Sequence, residues 1–81
     1  MDARGRLGRE IREIRRGQKM TQGELAEKAN VSLITISRLE RGERDPHLAT
    51  LARIAKGLGV PPFEILRSAG YFEHDGNRWT G

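Results

Sequence analysis

The spacing of apolar residues along the chain predicts helices and no strands. Near the N-terminus, Leu7, Ile11 and Ile14 repeat at i, i+4 and i+7, which places them on one side of a helix. This first helix is expected to run from about Arg4 to Gly17. Its buried stripe would pack against the rest of a small, all-α core.

Two further helices are predicted in the second half of the chain. Asp45 followed by Pro46 is typical of an N-cap and a first helical position, so a fourth helix should begin there and end near Gly59. A short fifth helix follows Pro61 and ends before Gly70. We expect one face of the fourth helix to be buried, namely the side chains of Leu48, Leu51, Ile54, Ala55 and Leu58.

The stretch between these segments predicts two short helices joined by a tight turn. Thr21 and Glu24 form a capping box, so a second helix begins just after Thr21. Asn30 tolerates a positive φ and can end that helix, and Ser32 can cap a third one. A turn of about three residues sets two helices at a steep angle, with the small Ala26 at their crossing. This geometry is a helix-turn-helix.

The same stretch resembles the helix-turn-helix of the phage-repressor and Cro type, also called the xenobiotic response element family. The likeness extends from about Leu7 to Leu66, about three quarters of the chain, although the family usually has Gly where Asn30 stands. It implies a compact five-helix, lambda-repressor-like domain over residues 4–69, followed by a tail over residues 70–81. The residues that carry it are Gln22, Ala26, Asn30, Val31, Ile36, Leu39, Glu40 and Gly42.

One arginine stands out on the first helix. Arg15 lies about 80° from Leu7 on a helical wheel, at the rim of the buried stripe. The resemblance implies that Arg15 pairs with Glu40 in a structural salt bridge and also faces a DNA phosphate. The alternative is an ordinary solvated arginine, since exposed ion pairs contribute little.

The resemblance also implies that the third helix, Ser32 to Glu40, enters the major groove, where base pairs are distinguishable. Arg38 could bond guanine O6 and N7 together, or alternatively a phosphate. Leu33 and Ile34 stand at positions where the family usually has polar residues. They would either contact thymine methyl groups or be unremarkable exposed hydrophobes. The candidate base-reading residues are Ser32, Leu33, Ile34, Ser37 and Arg38.

Phosphate contacts are expected around the start of the second helix. Gln22 stands where free backbone N–H groups and the helix dipole favour a phosphate oxygen, although it could also be a first-turn residue without a partner. The candidate phosphate-binding residues are Arg15, Thr21, Gln22, Thr35, Arg41 and Arg44.

Composition narrows the class of function. Fifteen basic against eleven acidic residues give a net charge of +4, which favours a polyanionic partner. The chain has no cysteine, and neither a membrane span nor a signal peptide is visible, so we expect a cytoplasmic location. His47 and His74 have no metal-spaced partner and no Gly-rich phosphate loop exists, so we expect no catalytic residue, metal or cofactor.

These features predict a sequence-specific regulator of transcription, a repressor, that binds double-stranded DNA. The alternative is a protein-interaction module of the multiprotein bridging factor type, with weak DNA binding. A repressor of this size should act as a homodimer on a palindromic operator, with half-site centres about 34 Å apart. We expect the dimer surface at the fifth helix and tail, with the side chains of Ile65, Tyr71, Phe72 and Trp79, unless those aromatics fold back on their own domain.

Overall fold

A computed structural model describes residues 5–72 of the chain, and Arg4, His74 and Trp79 lie outside the described residues. Within this range the fold is all-α and compact, as predicted, with no strand. No helix of residues 5–72 is both long and apolar enough to cross a membrane. The five helices are α1 (Arg6–Gly17), α2 (Gln22–Ala29), α3 (Leu33–Glu40), α4 (Leu48–Leu58) and α5 (Pro62–Ser68).

A single apolar core draws on all five helices. On α1 the predicted stripe is confirmed, because Leu7 and Ile11 are buried and Ile14 packs against the core. The largest fully buried side chains are Ile11, Leu25, Ile36, Leu39, Ile54 and Ile65. Burial of such side chains is the main favourable contribution to folding in a chain without disulfides.

Local signals define the helix-turn-helix as the sequence indicated. Thr21 Oγ1 accepts from the Glu24 amide at 3.0 Å, and the Thr21 amide donates to Glu24 Oε1 at 2.7 Å, which completes the capping box. Asn30 adopts φ 59° and ψ 46° and turns the chain left-handed at the end of α2. Ser32 then caps α3 through a bond from the Thr35 amide at 3.0 Å.

Two glycines allow helices to approach more closely than the apolar pattern indicated. A Cβ atom added to Gly8 of α1 would stand 1.7 Å from the carbonyl oxygen of Leu39 in α3, so no side chain fits there. A Cβ atom on Gly57 of α4 would stand 3.1 Å from the amide nitrogen of Ala29 in α2. The α1–α3 and α2–α4 junctions therefore bring backbone against backbone.

The start of α4 differs from the prediction. His47 is its N-cap, so Pro46 and Asp45 lie one and two residues before the cap, and the Asp45 carboxylate instead accepts a 3.5 Å bond from the Gly5 amide. Leu48 is then the first helical residue, and it is 77% exposed. The expectation that Leu48 joins the core was wrong, because the first turn of α4 extends past the edge of the core.

The prediction for α5 was also wrong in its orientation. Ile65 is fully buried and cannot take part in a dimer surface, whereas Phe63 is 56% exposed. Ile65 and Ala69 are spaced i, i+4 and both face the core, which turns Phe63, two residues before Ile65, toward the opposite side.

Candidate nucleic-acid interface

A buried ion pair ties α1 to the end of α3. Arg15 Nε donates to Glu40 Oε2 at 2.7 Å and Nη2 donates to Oε1 at 2.8 Å, the bidentate geometry that suits a guanidinium and a carboxylate. The bond to Glu40 raises the pKa of Arg15 above its ordinary value, although burial opposes this shift. The predicted Arg15–Glu40 pair is therefore present.

The pair belongs to a larger polar network. Arg15 Nη1 donates to the backbone carbonyl of Met20 at 2.7 Å, at the entrance to α2. Gln22, the first residue of α2, donates from its side-chain amide to Glu40 Oε1 at 2.9 Å. Gln22 thus has a protein partner that the sequence did not indicate, and its second N–H remains for another acceptor. The network connects α1, α2 and α3.

An open cleft of about 460 Å³ lies over this network. Four arginines and a single carboxylate line it, so its charge is strongly positive. Its lining residues are Arg12, Arg15, Arg16, Gln22, Ser37, Glu40 and Arg41. An arginine-rich cleft at the start of a helix suits the oxygens of a polyanion.

Two of the lining arginines were not among the candidate site residues. Arg12 and Arg16 are exposed, and both border the cleft. Their spacing relative to Arg15 was the available signal, since residues at i, i+3 and i+4 share one side of a helix. The basic side of α1 therefore includes Arg12 and Arg16 as well as Arg15.

The first turn of α3 presents apolar side chains to solvent. Leu33 is 52% exposed and Ile34 is 62% exposed. Ser32 and Thr35 flank them, and their hydroxyl oxygens lie 2.8 Å apart in a mutual hydrogen bond.

The last turn of α3 and the residues after it form a second charged group. Arg41 donates to Ser37 Oγ and, through Nε, to Glu43 Oε2 at 2.7 Å. Arg38 Nε lies 3.9 Å from Glu43 Oε1, too far for a hydrogen bond, and about half of each side chain is exposed. Arg41 is the main cause that lowers the pKa of Glu43. Arg44 follows, also exposed.

Away from the charged groups, α5 and the turn after it carry exposed aromatic rings. Phe63 and Phe72 stack with ring centroids 5.0 Å apart, and they are 56% and 43% exposed. Tyr71 is 40% exposed. Partial burial, with Asp45 adding to it, raises the pKa of Tyr71 above its ordinary value. We call Phe63, Tyr71 and Phe72 the aromatic patch.

Comparison with known proteins gives one consistent family. The model of the helix-turn-helix family matches residues 11–65. Among curated proteins, the transcriptional regulator RghRB of Bacillus subtilis is 37% identical over 68 residues, which are 83% of this chain and 49% of that protein. The immunity repressor of Bacillus phage phi105 is 43% identical over 54 residues, which are 67% of this chain and 38% of that protein. This chain therefore spans less than half the length of either relative.

Solved structures agree with the sequence matches. The clp gene regulator ClgR of Corynebacterium glutamicum superposes with a TM-score of 0.80 and 32% identity, covering 88% of this chain and 76% of that one. The restriction-modification controller protein C.Esp1396I gives a TM-score of 0.78 and 31% identity, covering 90% of this chain and 97% of that one. The resemblance to phage-repressor and Cro-type proteins is confirmed.

Proposed function

We propose that this chain, which belongs to the helix-turn-helix family, is a sequence-specific DNA-binding repressor of transcription that inserts α3 into the major groove. The cationic cleft beside the exposed face of α3 supports this most directly. Such a cleft can hold the phosphate backbone at the edge of the groove while α3 faces the bases. Two relatives support repression: RghR of Bacillus subtilis, which is 37% identical over 68 residues, and the phage phi105 protein are both named as repressors.

Base readout belongs to the solvent side of α3. Its inner side is occupied by Ile36, Leu39 and Glu40, which are buried, so base contacts fall to the other residues of the helix and its cap. Arg38 is half-exposed and lacks a close hydrogen-bond partner among the described residues, which leaves its guanidinium able to bond guanine O6 and N7. The proposed base-reading residues are Ser32, Leu33, Ile34, Ser37 and Arg38.

We assign phosphate binding to residues of α1 and α2, to Thr35 and to the residues that follow α3. The second N–H of the Gln22 amide and the arginines of the cleft, which include Arg41 just after α3, can donate to phosphate oxygens. The proposed phosphate-binding residues are Arg12, Arg15, Arg16, Thr21, Gln22, Thr35, Arg41 and Arg44.

The proposed operator is palindromic and is bound by a homodimer. A few contacts from one short helix, each worth about 1 to 3 kcal/mol, do not separate an operator from the non-specific sites of a genome, and two copies double the discrimination. The aromatic patch is the surface that we assign to pairing, because its stacked rings are otherwise left in water. Ile65 stabilises α5 from inside instead.

Selection of bound sequences from a random DNA library, followed by titration of point variants, tests the function. Arg38→Ala should reduce the discrimination between bases at one base pair by about tenfold or more and leave the discrimination at other positions unchanged. Arg16→Ala should weaken binding equally on all sequences and lower the salt dependence, because a phosphate contact carries no sequence information. Arg16 is a better probe than Gln22, whose removal also costs a bond to Glu40.

Three results of this experiment would count against the proposal. If Arg38→Ala lowers affinity equally on all DNA sequences, Arg38 contacts a phosphate and not a base. If the selection enriches no sequence, the proposal of sequence-specific binding is contradicted and the protein-interaction alternative is favoured. An enriched site without symmetry would contradict the palindrome.

Pairing is tested by sedimentation with and without the selected operator. Phe63→Ser together with Phe72→Ser should give a monomer that binds a half-site but loses the tight binding to the full site. Leu48→Ser is the control, because it removes an even more exposed apolar side chain that lies on α4, outside the aromatic patch. An unchanged dimer in the double variant would remove the aromatic patch from the interface.

A further inference from the structure

We infer that Leu33 and Ile34 recognise the C5-methyl group of pyrimidines, so that binding depends on methyl groups in the major groove of the operator. This inference rests on the proposed function, since it names the chemistry that the first turn of α3 reads. The C5-methyl group occurs on thymine and on 5-methylcytosine, and the two bases present it at the same place in the groove.

Neither side chain belongs to the apolar core of the described residues. Ile36 is fully buried and Leu39 is 1% exposed, so α3 already supplies its core contacts from the opposite side. Leu33 and Ile34 are 52% and 62% exposed, and they are adjacent. Together they form an apolar surface at the end of the helix that reaches deepest into a major groove.

The polar neighbours of these two residues are already bonded to one another. The hydroxyls of Ser32 and Thr35 share a hydrogen bond, and Ser32 Oγ also accepts from the Thr35 amide. Ser37 Oγ accepts from Arg41. These hydroxyls are thus partly engaged within the protein, whereas Leu33 and Ile34 are exposed and carry no polar group, and a pyrimidine methyl is the apolar group of the major groove.

Charge indicates that the occupant of this surface is DNA rather than an apolar protein surface. Arg38 lies on the same helix and Arg41 directly follows it, while Arg12 and Arg16 border the neighbouring cleft. An apolar protein partner would have to desolvate these cations without compensation, whereas DNA provides both methyl groups and phosphates.

The helix also predicts where the methyl group lies. Ile34 and Arg38 are spaced i, i+4, so they share one side of α3 and stand about 6 Å apart along its axis. We therefore expect a methylated pyrimidine within about two base-pair steps of the guanine that Arg38 reads.

The test uses the full chain and its selected operator, with each thymine replaced in turn by deoxyuridine, which removes the methyl group and keeps every hydrogen-bonding group. One or two positions in each half-site should lose about fourfold in affinity, as expected for one buried methyl-sized group. Where the selected base is cytosine, 5-methylcytosine should raise affinity by about the same factor. The two substitutions distinguish thymine from methylated cytosine as the source of the methyl group.

Variants then assign the effect to the protein. Leu33→Ala and Ile34→Ala should each lose affinity for the thymine operator and lose most of the response to deoxyuridine at one position, because the contact is already absent. Leu48→Ala, the control outside α3, should respond as the unmodified chain does.

The inference is overturned if every thymine and cytosine substitution changes affinity by less than about twofold, or if both alanine variants keep the full response. Either result leaves the proposed function intact, since an operator has still been selected. Failure of the proposed function is a different result, namely that the library yields no operator.

Discussion

The helix-turn-helix formed by α2 and α3 is held by two junctions of different kinds, one polar between α1 and α3 and one apolar between α2 and α4. The first combines the Arg15–Glu40 pair with the backbone contact at Gly8. The second has no buried charge among residues 5–72 and joins two sets of small and branched side chains. The buried residues of α2 and α4 are Leu25, Ala26, Ala29, Leu51, Ile54, Ala55 and Leu58.

The two junctions constrain different things. Apolar burial is roughly proportional to area and has no direction, so the α2–α4 junction adds stability and tolerates small shifts. A bidentate ion pair and a carbonyl that excludes any side chain both require one distance and one angle. The polar junction therefore determines how α3 is oriented, and the apolar junction holds α2 before it.

The largest expected effect is that of Gly8→Ala. The added Cβ would meet the Leu39 carbonyl at 1.7 Å, so α1 and α3 must separate. Stability should fall by about 3 kcal/mol or more, despite the helix propensity that alanine gains, and a chain that fails to fold would agree with this. Urea unfolding measures the change. Gly17→Ala is the control, since nothing lies within 4 Å of its Cβ. Equal stability of both variants would contradict so close an α1–α3 contact.

Breaking the ion pair should have the next largest effect. Arg15→Met or Glu40→Leu leaves a buried charge without its partner, and each should cost about 2 to 3 kcal/mol of unfolding free energy. Because one contact is shared, the double variant should lose less than the sum of the two.

Arg9→Met, at an exposed position of the same helix, is the control for the ion-pair variants and should change stability little. Strict additivity of the Arg15 and Glu40 losses would mean that the two side chains do not interact in solution.

Gly57→Ala is the matched test of the apolar junction. Its Cβ would lie 3.1 Å from the Ala29 amide nitrogen and 3.2 Å from Leu25 Cδ1, a contact that a small shift relieves. The gain of about 1 kcal/mol in helix propensity offsets most of the strain, so the net loss should be about 1 kcal/mol or less. A loss as large as that of Gly8→Ala would show that the two junctions are equally rigid.

The smallest effects should come from the turns at which α1 and α2 end. Lys19 and Asn30 have positive φ values of 58° and 59°. Glycine relieves the left-handed strain, so Lys19→Gly should raise stability by about 0.5 to 1 kcal/mol. Asn30→Gly should change it by less, because asparagine tolerates this conformation better than lysine does. Thermal unfolding of the two variants in one buffer gives their order, and a larger gain at Asn30 would contradict it.

Local chemistry made much of the fold readable from the sequence. The capping box of Thr21 and Glu24, the left-handed Asn30 and the cap at Ser32 involve residues close together in the chain, so their types suffice to place α2 and α3. The apolar stripe of α1 is readable for the same reason. The family resemblance added the pairing of Arg15 with Glu40, which no local pattern contains.

Tertiary packing decided what the pattern of apolar residues does not encode. Glycine carries no hydrophobic signal, so the contact of Gly8 with Leu39 was not visible until α1 and α3 were packed together. Leu48 was misplaced because periodicity does not show how far the core extends beneath a helix, and Ile65 because the apolar residues of the short α5 do not by themselves show which side faces the core. The cleft that Arg12 and Arg16 border likewise requires three helices at once. The sequence determined the helices and their turns, because these depend on near neighbours, while approach, exposure and the shape of the charged cleft depend on residues far apart in the chain.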